Sequence, residues 1–209
     1  MTPFHALKIT PAIQVLKRLS SGETIQDTWI IDPLDPDPLV VSRWVCGEDL
    51  RGIYQPILIR NCYIDDLNLA QRTFYERVEL VDCRIMTSCF RQAYFYSSLL
   101  IEDCVFRGGI DSQYIQGDGP IVIHNTVFSG YVDWGGLQWR NQVDLLDVSF
   151  PGGTNLLHEL YAHKRAGRLG RKTTLARCHF RVADIPAGLG TAHPGIAPLV
   201  ESYLGGVEG

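Results

Sequence analysis

Two short segments of this 209-residue chain carry residue types that do chemistry. HELYAH at 158–163 sets a glutamate between two histidines, the residue types of a zinc hydrolase helix. That helix needs its histidines four apart, so that both face one metal. His158 and His163 are five apart and cannot share a helical face, so no metal is expected. GRLGRKT at 167–173 has the glycines, lysine and threonine of a phosphate-binding loop. In such a loop the lysine directly follows the second glycine, and a strand precedes it. Here Arg171 intervenes and a helical pattern precedes, so no nucleotide cofactor is expected either. No G-x-S-x-G nucleophile elbow occurs. Tyr94, Tyr96, Tyr131, Trp134 and Trp139 are the aromatic residues from which a sugar platform could be assembled, although aromatics more often cover corners and bulges. The cysteines are Cys46, Cys62, Cys83, Cys89, Cys104 and Cys178, and none forms a C-x-x-C pair. The first twenty residues mix apolar and charged types and lack the core of a secretory signal, so disulfides are not expected.

The cysteine spacing points to architecture instead. Cys62, Cys83 and Cys104 are 21 apart, which is a repeat period. Aligning on them gives ILIRNCYI at 57–64, VELVDCRI at 78–85, LLIEDCVF at 99–106, IVIHNTVF at 121–128, VDLLDVSF at 143–150 and TLARCHF at 174–180. Alternating apolar residues mark a strand. A strand that recurs every 21–22 residues, with no room for a helix between copies, predicts stacked turns of a solenoid. A finer period of five runs through Ile64, Leu69 and Phe74, and again through Leu80, Ile85, Phe90 and Phe95. Two residues before these centres stand mostly small or apolar residues, including Cys62, Leu67, Cys83, Ser88, Ala93 and Cys104. Both sets should point inward, four pairs to a turn. Asp65, Asp66, Glu76, Glu79 and Arg91 should face solvent.

The stretches CYIDD, LNLAQ, RTFYE, CRIMT, SCFRQ, AYFYS and CVFRG make the chain resemble the pentapeptide-repeat family. The resemblance covers roughly residues 57–150 and 173–182. Arg72 departs from it at a small-residue position, and after residue 107 the fives drift while the 21–22 period persists. Family members form a right-handed parallel β-helix with four sides, so the resemblance implies an all-β solenoid of that kind. Past residue 107 a three-sided winding stays open. In either form the thiols should stack as a ladder, as small hydrophobes in a narrow core.

The remaining segments read as additions to the rod. Residues 1–56 form an N-terminal cap, with a helix over 11–22 that buries Ile13, Leu16 and Leu19, and a first imperfect repeat at GEDLRG, 47–52. The repeats occupy 57–154. A helical insertion at 155–172 opens with Asn155 as N-cap and should lay Leu156, Leu160 and Tyr161 on the rod. It carries Lys164, Arg165, Arg168, Arg171 and Lys172 against Glu159 alone, a net +4. The rod from 57 to 154 holds seven arginines against twelve acids, a net −5. A last turn fills 173–185. The tail, 186–209, contains a helical pattern at 196–205, with Ile196, Leu199, Val200 and Leu204 on one side, to cap the rod or pair with a second copy.

Nineteen basic residues against 23 acidic ones give a net charge of −4, which argues against direct binding of duplex DNA. No apolar run approaches the ~18 residues of a membrane span. A cytoplasmic, non-catalytic binding or scaffold protein without cofactor is expected, its partner a protein; the basic insert is either the contact site for that partner or a solvated helix end, where cations suit the C-terminus. The resemblance implies an alternative: a dimeric rod that mimics DNA and binds a type II topoisomerase such as gyrase. Its acidic face would be Asp65, Asp66, Glu76, Glu79, Asp82, Glu102 and Asp103. A second alternative is a carbohydrate-binding or carbohydrate-active β-helix.

Overall fold

Strand alternation closes on itself in the computed structural model, which describes residues 7–45, 48–166 and 173–186. A seven-stranded parallel sheet stacks Ile25–Gln26, Ile57–Arg60, Val78–Val81, Leu99–Glu102, Ile121–His124, Val143–Leu146 and Thr173–Ala176 in chain order. Its register runs Ile57, Val78, Leu99, Ile121, Val143, Thr173, the 21–22 period followed by one step of 30. An eight-stranded and a four-stranded parallel sheet complete the coil. The fold is therefore a parallel β-solenoid of about six turns with a few short helices.

The five-residue spacing marks the inward side chains. Ile64, Leu69, Phe74, Leu80, Ile85, Phe90, Phe95, Ile101 and Phe106 are all buried, as are Cys62, Leu67, Val78, Cys83, Ser88, Ala93, Leu99 and Cys104 before them. Like stacks on like. Phe106, Phe128, Phe150 and Phe180 form a column with centroids 5.0–5.1 Å apart, and Phe74 stacks on Phe95 at 5.0 Å. Beyond residue 107 the buried pairs continue as Ile110 and Ser112, Ile115 and Gly117, Ile121 and Ile123, Thr126 and Phe128. The drift is one residue added at a single corner. There Gly108, Gly130 and Gly152 follow one another up the rod, and the chain passes very close to itself. A Cβ on Gly130 would meet the Gly108 carbonyl carbon at 2.3 Å, and one on Gly152 would meet that of Gly130 at 2.2 Å.

Two other corners turn through the left-handed region. Asp27, Asn61, Asp82, Asp103, Asn125, Asp147 and Arg177 have φ between 46° and 55°. Gln71, Gln92 and Tyr114 form a second such column, with Gly136 continuing it. Asn and Asp tolerate this conformation because their side chains bond locally. That explains the Asn or Asp that precedes the small residue in five of the six aligned blocks.

Three expectations are corrected, and one departure is explained. Ile13 is 68% exposed; α1 (Ala12–Ser20) instead buries Ala12, Val15, Leu16 and Leu19, the i, i+3, i+4, i+7 stripe of a capping helix. Residues 47–52 are not a repeat. Val41–Val45 and Glu48–Gly52 pair antiparallel as a hairpin outside the coil. The first turn is built from Ile25–Gln26, Thr28–Leu34 and Ile53, the last bridging to Phe74. Its strand bulges between Ile30 and Pro33, where Asp32 has φ 67°. Arg72 takes a small-residue position because the chain between that strand and the hairpin supplies Asp35 and Asp37 to its guanidinium, at 3.3 and 3.2 Å. Glu79 is buried, not solvent-facing.

At the far end, α2 (Leu156–Ala166) replaces half of a turn. Leu156, Leu157 and Leu160 join the core, and the strand Thr173–Ala176 with Cys178 and Phe180 covers the other half. The 30-residue step is this division of the end between helix and coil. Tyr161's side chain lies outside the described residues.

Two stability outcomes follow from these positions. Phe95→Ala should cost ~3–5 kcal/mol, as large truncations in a packed core do. Asn125→Val should cost ~1–2 kcal/mol, because a β-branched residue is strained at positive φ, whereas Asn125→Gly should stay within ~0.5 kcal/mol. Urea midpoints of the three variants check both. A Val variant as stable as the Gly variant would contradict the corner assignment.

Candidate binding surface

The inward ladder holds the thiols. Cys62 Sγ donates to the Arg60 carbonyl at 3.1 Å, Cys83 to Val81 at 3.2 Å, Cys104 to Glu102 at 3.2 Å and Cys178 to Ala176 at 3.5 Å. Thr126 and Thr28 fill the same column and donate the same bond, each at 2.7 Å. The column therefore selects small residues that can donate a bond back to the carbonyl two residues earlier. Burial pushes the Cys62 thiol up to about 12 and Cys178 to about 11. Cys83 is raised by its bond with Cys104 and by burial. A thiolate is the reactive form, so burial and the raised pKa disfavour reaction at these groups in the folded chain. Among the described residues no three His, Cys, Asp or Glu side chains converge as a ligand set.

The outer surface is where chemistry faces a partner, and its charges are mostly tied. Glu79 points outward from its strand yet is 7% exposed, held between Arg60 at 2.9 Å and Arg77 at 3.2 Å. Asp65 accepts from the Trp29 indole at 3.0 Å, and Asp66 from the Thr87 hydroxyl at 2.9 Å. Glu76 is exposed on a different side of the rod. Asp82 and Asp103 occupy consecutive steps of the left-handed corner, with Glu102 beside Asp103. Of the seven acids of the expected acidic face, the structure thus gathers Asp82, Glu102 and Asp103, and leaves the others dispersed or paired. Farther up that corner Arg177 clamps both oxygens of Asp147, at 2.6 and 2.5 Å, and holds its carboxyl below the usual range. Burial pushes the Asp133 carboxyl up, but bonds from Gln113, Gly135 and Asn155 outweigh it and leave the group below its ordinary value.

The aromatic set divides. Trp134 and Trp139 are in the core, so the five-residue platform does not form. Tyr131 is exposed, and Tyr94 donates to Asp118 at 2.8 Å beside Tyr96. A different aromatic array is present. Tyr54, Tyr75 and Tyr96 stack with centroids 4.4 and 4.7 Å apart, and the Arg43 guanidinium sits 4.0 Å over the Tyr54 ring. Their 21-residue spacing is the signal that could have found them. Burial first, and then Tyr54, push the Tyr75 phenol up to about 12.

His158 is exposed on α2. The side chains of His163, Lys164 and Arg165 lie outside the described residues, and so do Arg168, Arg171 and Lys172. So do the tail residues Ile196, Leu199, Val200 and Leu204. Comparison with known proteins finds no matching family model, no matching curated protein and no matching solved structure.

Thiol labelling at pH 8 with peptide mapping should modify Cys89, which is half-buried, and spare Cys62, Cys83, Cys104 and Cys178 until the protein unfolds. Rapid labelling of Cys83 in the native state would contradict the ladder. Asp133 and Asp147 titrate lower in the folded chain than their ordinary 3.8. Their contribution to stability is present above that value and is lost as pH falls below it. Acid unfolding of Asp147→Asn should accordingly be less steep between about pH 4 and pH 2 than that of the parent.

Proposed function

We propose that this chain is a non-catalytic, right-handed, four-sided β-helix of the pentapeptide-repeat type, and that it docks a protein partner at its C-terminal end. Four inward pairs per turn, five or six residues apart, support the repeat type. The observation that carries the docking reading is how α2 is seated. Leu156, Leu157 and Leu160 bind its first turns to the rod end, and the chain rejoins the coil at Thr173. Lys164, Arg165, Arg168, Arg171 and Lys172 fall between these two anchors. A cluster of cations tethered at both sides of a rigid end suits an acidic protein surface. The rod supplies rigidity, because each turn is hydrogen-bonded to the next and outer side chains are held in columns by bonds such as Arg91 to Asp111 at 2.6 Å.

A second reading is favoured by the corner column. Asp82 and Asp103, spaced by the rise of one turn, ~4.8 Å, with Glu102 alongside, would present carboxylates to a site built for a phosphate backbone, such as that of a type II topoisomerase. The ion pairs of Glu79 and Asp147 reduce that field.

Changing Arg168, Arg171 and Lys172 together to Ala alters no residue of the core cluster or of the parallel sheets and should leave folding intact. Capture of the partner from a host lysate should fall about tenfold, and parental binding should weaken steeply with salt, because exposed charges are screened over ~10 Å at 0.1 M. Equal capture by parent and triple variant at low and high salt would reject the basic end. Inhibition of gyrase supercoiling, lost in Asp82→Asn/Asp103→Asn, would establish the second reading instead.

A further inference from the structure

The tyrosine column ends differently at its two ends. Phe74, Phe95, Gly117 and Trp139 are in register on the four-stranded sheet. The residues that follow them, Tyr75, Tyr96, Asp118 and Arg140, therefore stand one above another on its outer side. Tyr54 stacks below Tyr75, and there the column closes on a cation, the Arg43 guanidinium 4.0 Å from the ring centroid. At the other end no ring follows Tyr96. It is 45% exposed, and the Asp118 carboxylate takes the next place. We infer that the Tyr94–Tyr96–Asp118 end of the column is a binding site for the guanidinium group of an arginine side chain carried by a partner.

Three features carry this site. The first is the pairing of chemistries. A ring face attracts a cation through its quadrupole, and a carboxylate beside it adds a charged acceptor. Tyr94 lies against Tyr96, with centroids 4.7 Å apart and planes tilted by 46°, and its hydroxyl donates to Asp118 at 2.8 Å. Burial first, and then that bond, push the Tyr94 phenol up to about 12, so the hydroxyl stays a donor at neutral pH. The bond aims the carboxylate with one oxygen and leaves the other for a cation. The second feature is what now meets that other oxygen. Arg140 reaches it at 3.4 Å but is 81% exposed. A single long bond from an exposed side chain is weak. A guanidinium that also stacks on a ring, as Arg43 does on Tyr54, displaces it. The planar group suits the site better than an ammonium, because it can stack and donate to a carboxylate at once. The third feature is access. The residue after Asp118 is Gly119, so no side chain closes that flank. A Cβ there would lie 1.4 Å from the Ser97 carbonyl oxygen, so the flank stays open by backbone necessity. The Trp139 indole donates to the Gly119 carbonyl at 2.5 Å and fixes this stretch of chain.

Titration of the full chain with N-acetylarginine amide, followed by the NMR signals of the tyrosine rings, tests the assignment. The Tyr94 and Tyr96 signals should shift saturably, and the neutral citrulline analogue should leave them in place. Arg140→Ala removes the internal competitor and should bind the probe about threefold more tightly. Asp118→Asn keeps the shape and an acceptor for Tyr94, and should bind about tenfold more weakly. Tyr96→Leu should weaken binding by a similar factor, while Tyr131→Leu, at an exposed tyrosine outside the column, should bind as the parent does. No saturable shift in either the parent or the Arg140→Ala variant would overturn the inference, as would parental affinity in both Asp118→Asn and Tyr96→Leu. Equal shifts from the citrulline analogue, or from sodium chloride at the same ionic strength, would reduce the response to solvent and screening effects and equally overturn it.

Discussion

One constraint organises the molecule: each turn hydrogen-bonds its backbone to the next in fixed register, so every residue stands over its equivalent a turn away. The bonds from Val78 to Ser98, Leu99 to Pro120 and Ile121 to Gln142 are successive uses of one site on the coil. Two consequences are energetic. A residue type that suits one turn is repeated because its neighbour above must accept it, which gives the cysteine–threonine column and the phenylalanine column. A misfit has to be resolved locally. Gly117 leaves room that the Trp139 ring fills from the next turn, as the close approach of a Cβ there to that ring, 2.6 Å, makes plain.

How far this was legible in the sequence depended on whether a position's role follows from side-chain type alone. Inward positions did, because burial selects apolar residues; the cysteine spacing is the strand register itself. The left-handed corners did not, although Asn61, Asp82, Asp103 and Asn125 were visible in the aligned blocks. Backbone conformation leaves only a weak compositional trace, and Arg177 and Gln92 adopt it too. The first turn escaped notice because Thr28 stands where later turns have cysteine, and because the bulge between Ile30 and Pro33 breaks the alternation. Glu79 was misplaced for a different reason: strand alternation says which way a side chain points, not whether neighbouring arginines close over it. Of the candidate surface, the acids were legible as charges, but their pairing needed three dimensions. The tyrosine stack was legible as a period and was overlooked beside the more conspicuous tryptophans.

The same register shapes what the surface can offer. Outer side chains are not independent. Gln113 bonds Asp133, Asn155 bonds Asp133 at 2.7 Å, and Arg91 bonds both Asp111 and Gln113. Such networks hold side chains in place before any partner arrives, so less conformational entropy remains to be lost on docking. A surface of this kind favours partners that present complementary groups at the same spacing.

The glycine corner has a bearing on how such a coil changes length. The added residue of the 22-residue turn is accommodated where Gly108, Gly130 and Gly152 come within contact of one another, so the wider turn rests on a spine that admits no side chain. A narrow turn laid on a wide one would put a Cβ, or a missing residue, over that spine. The extra residue taken at Gly108 recurs in the following two turns at Gly130 and Gly152. The boundary near residue 107, where the offset passes from 21 to 22 residues, is a seam between two gauges of the same rod.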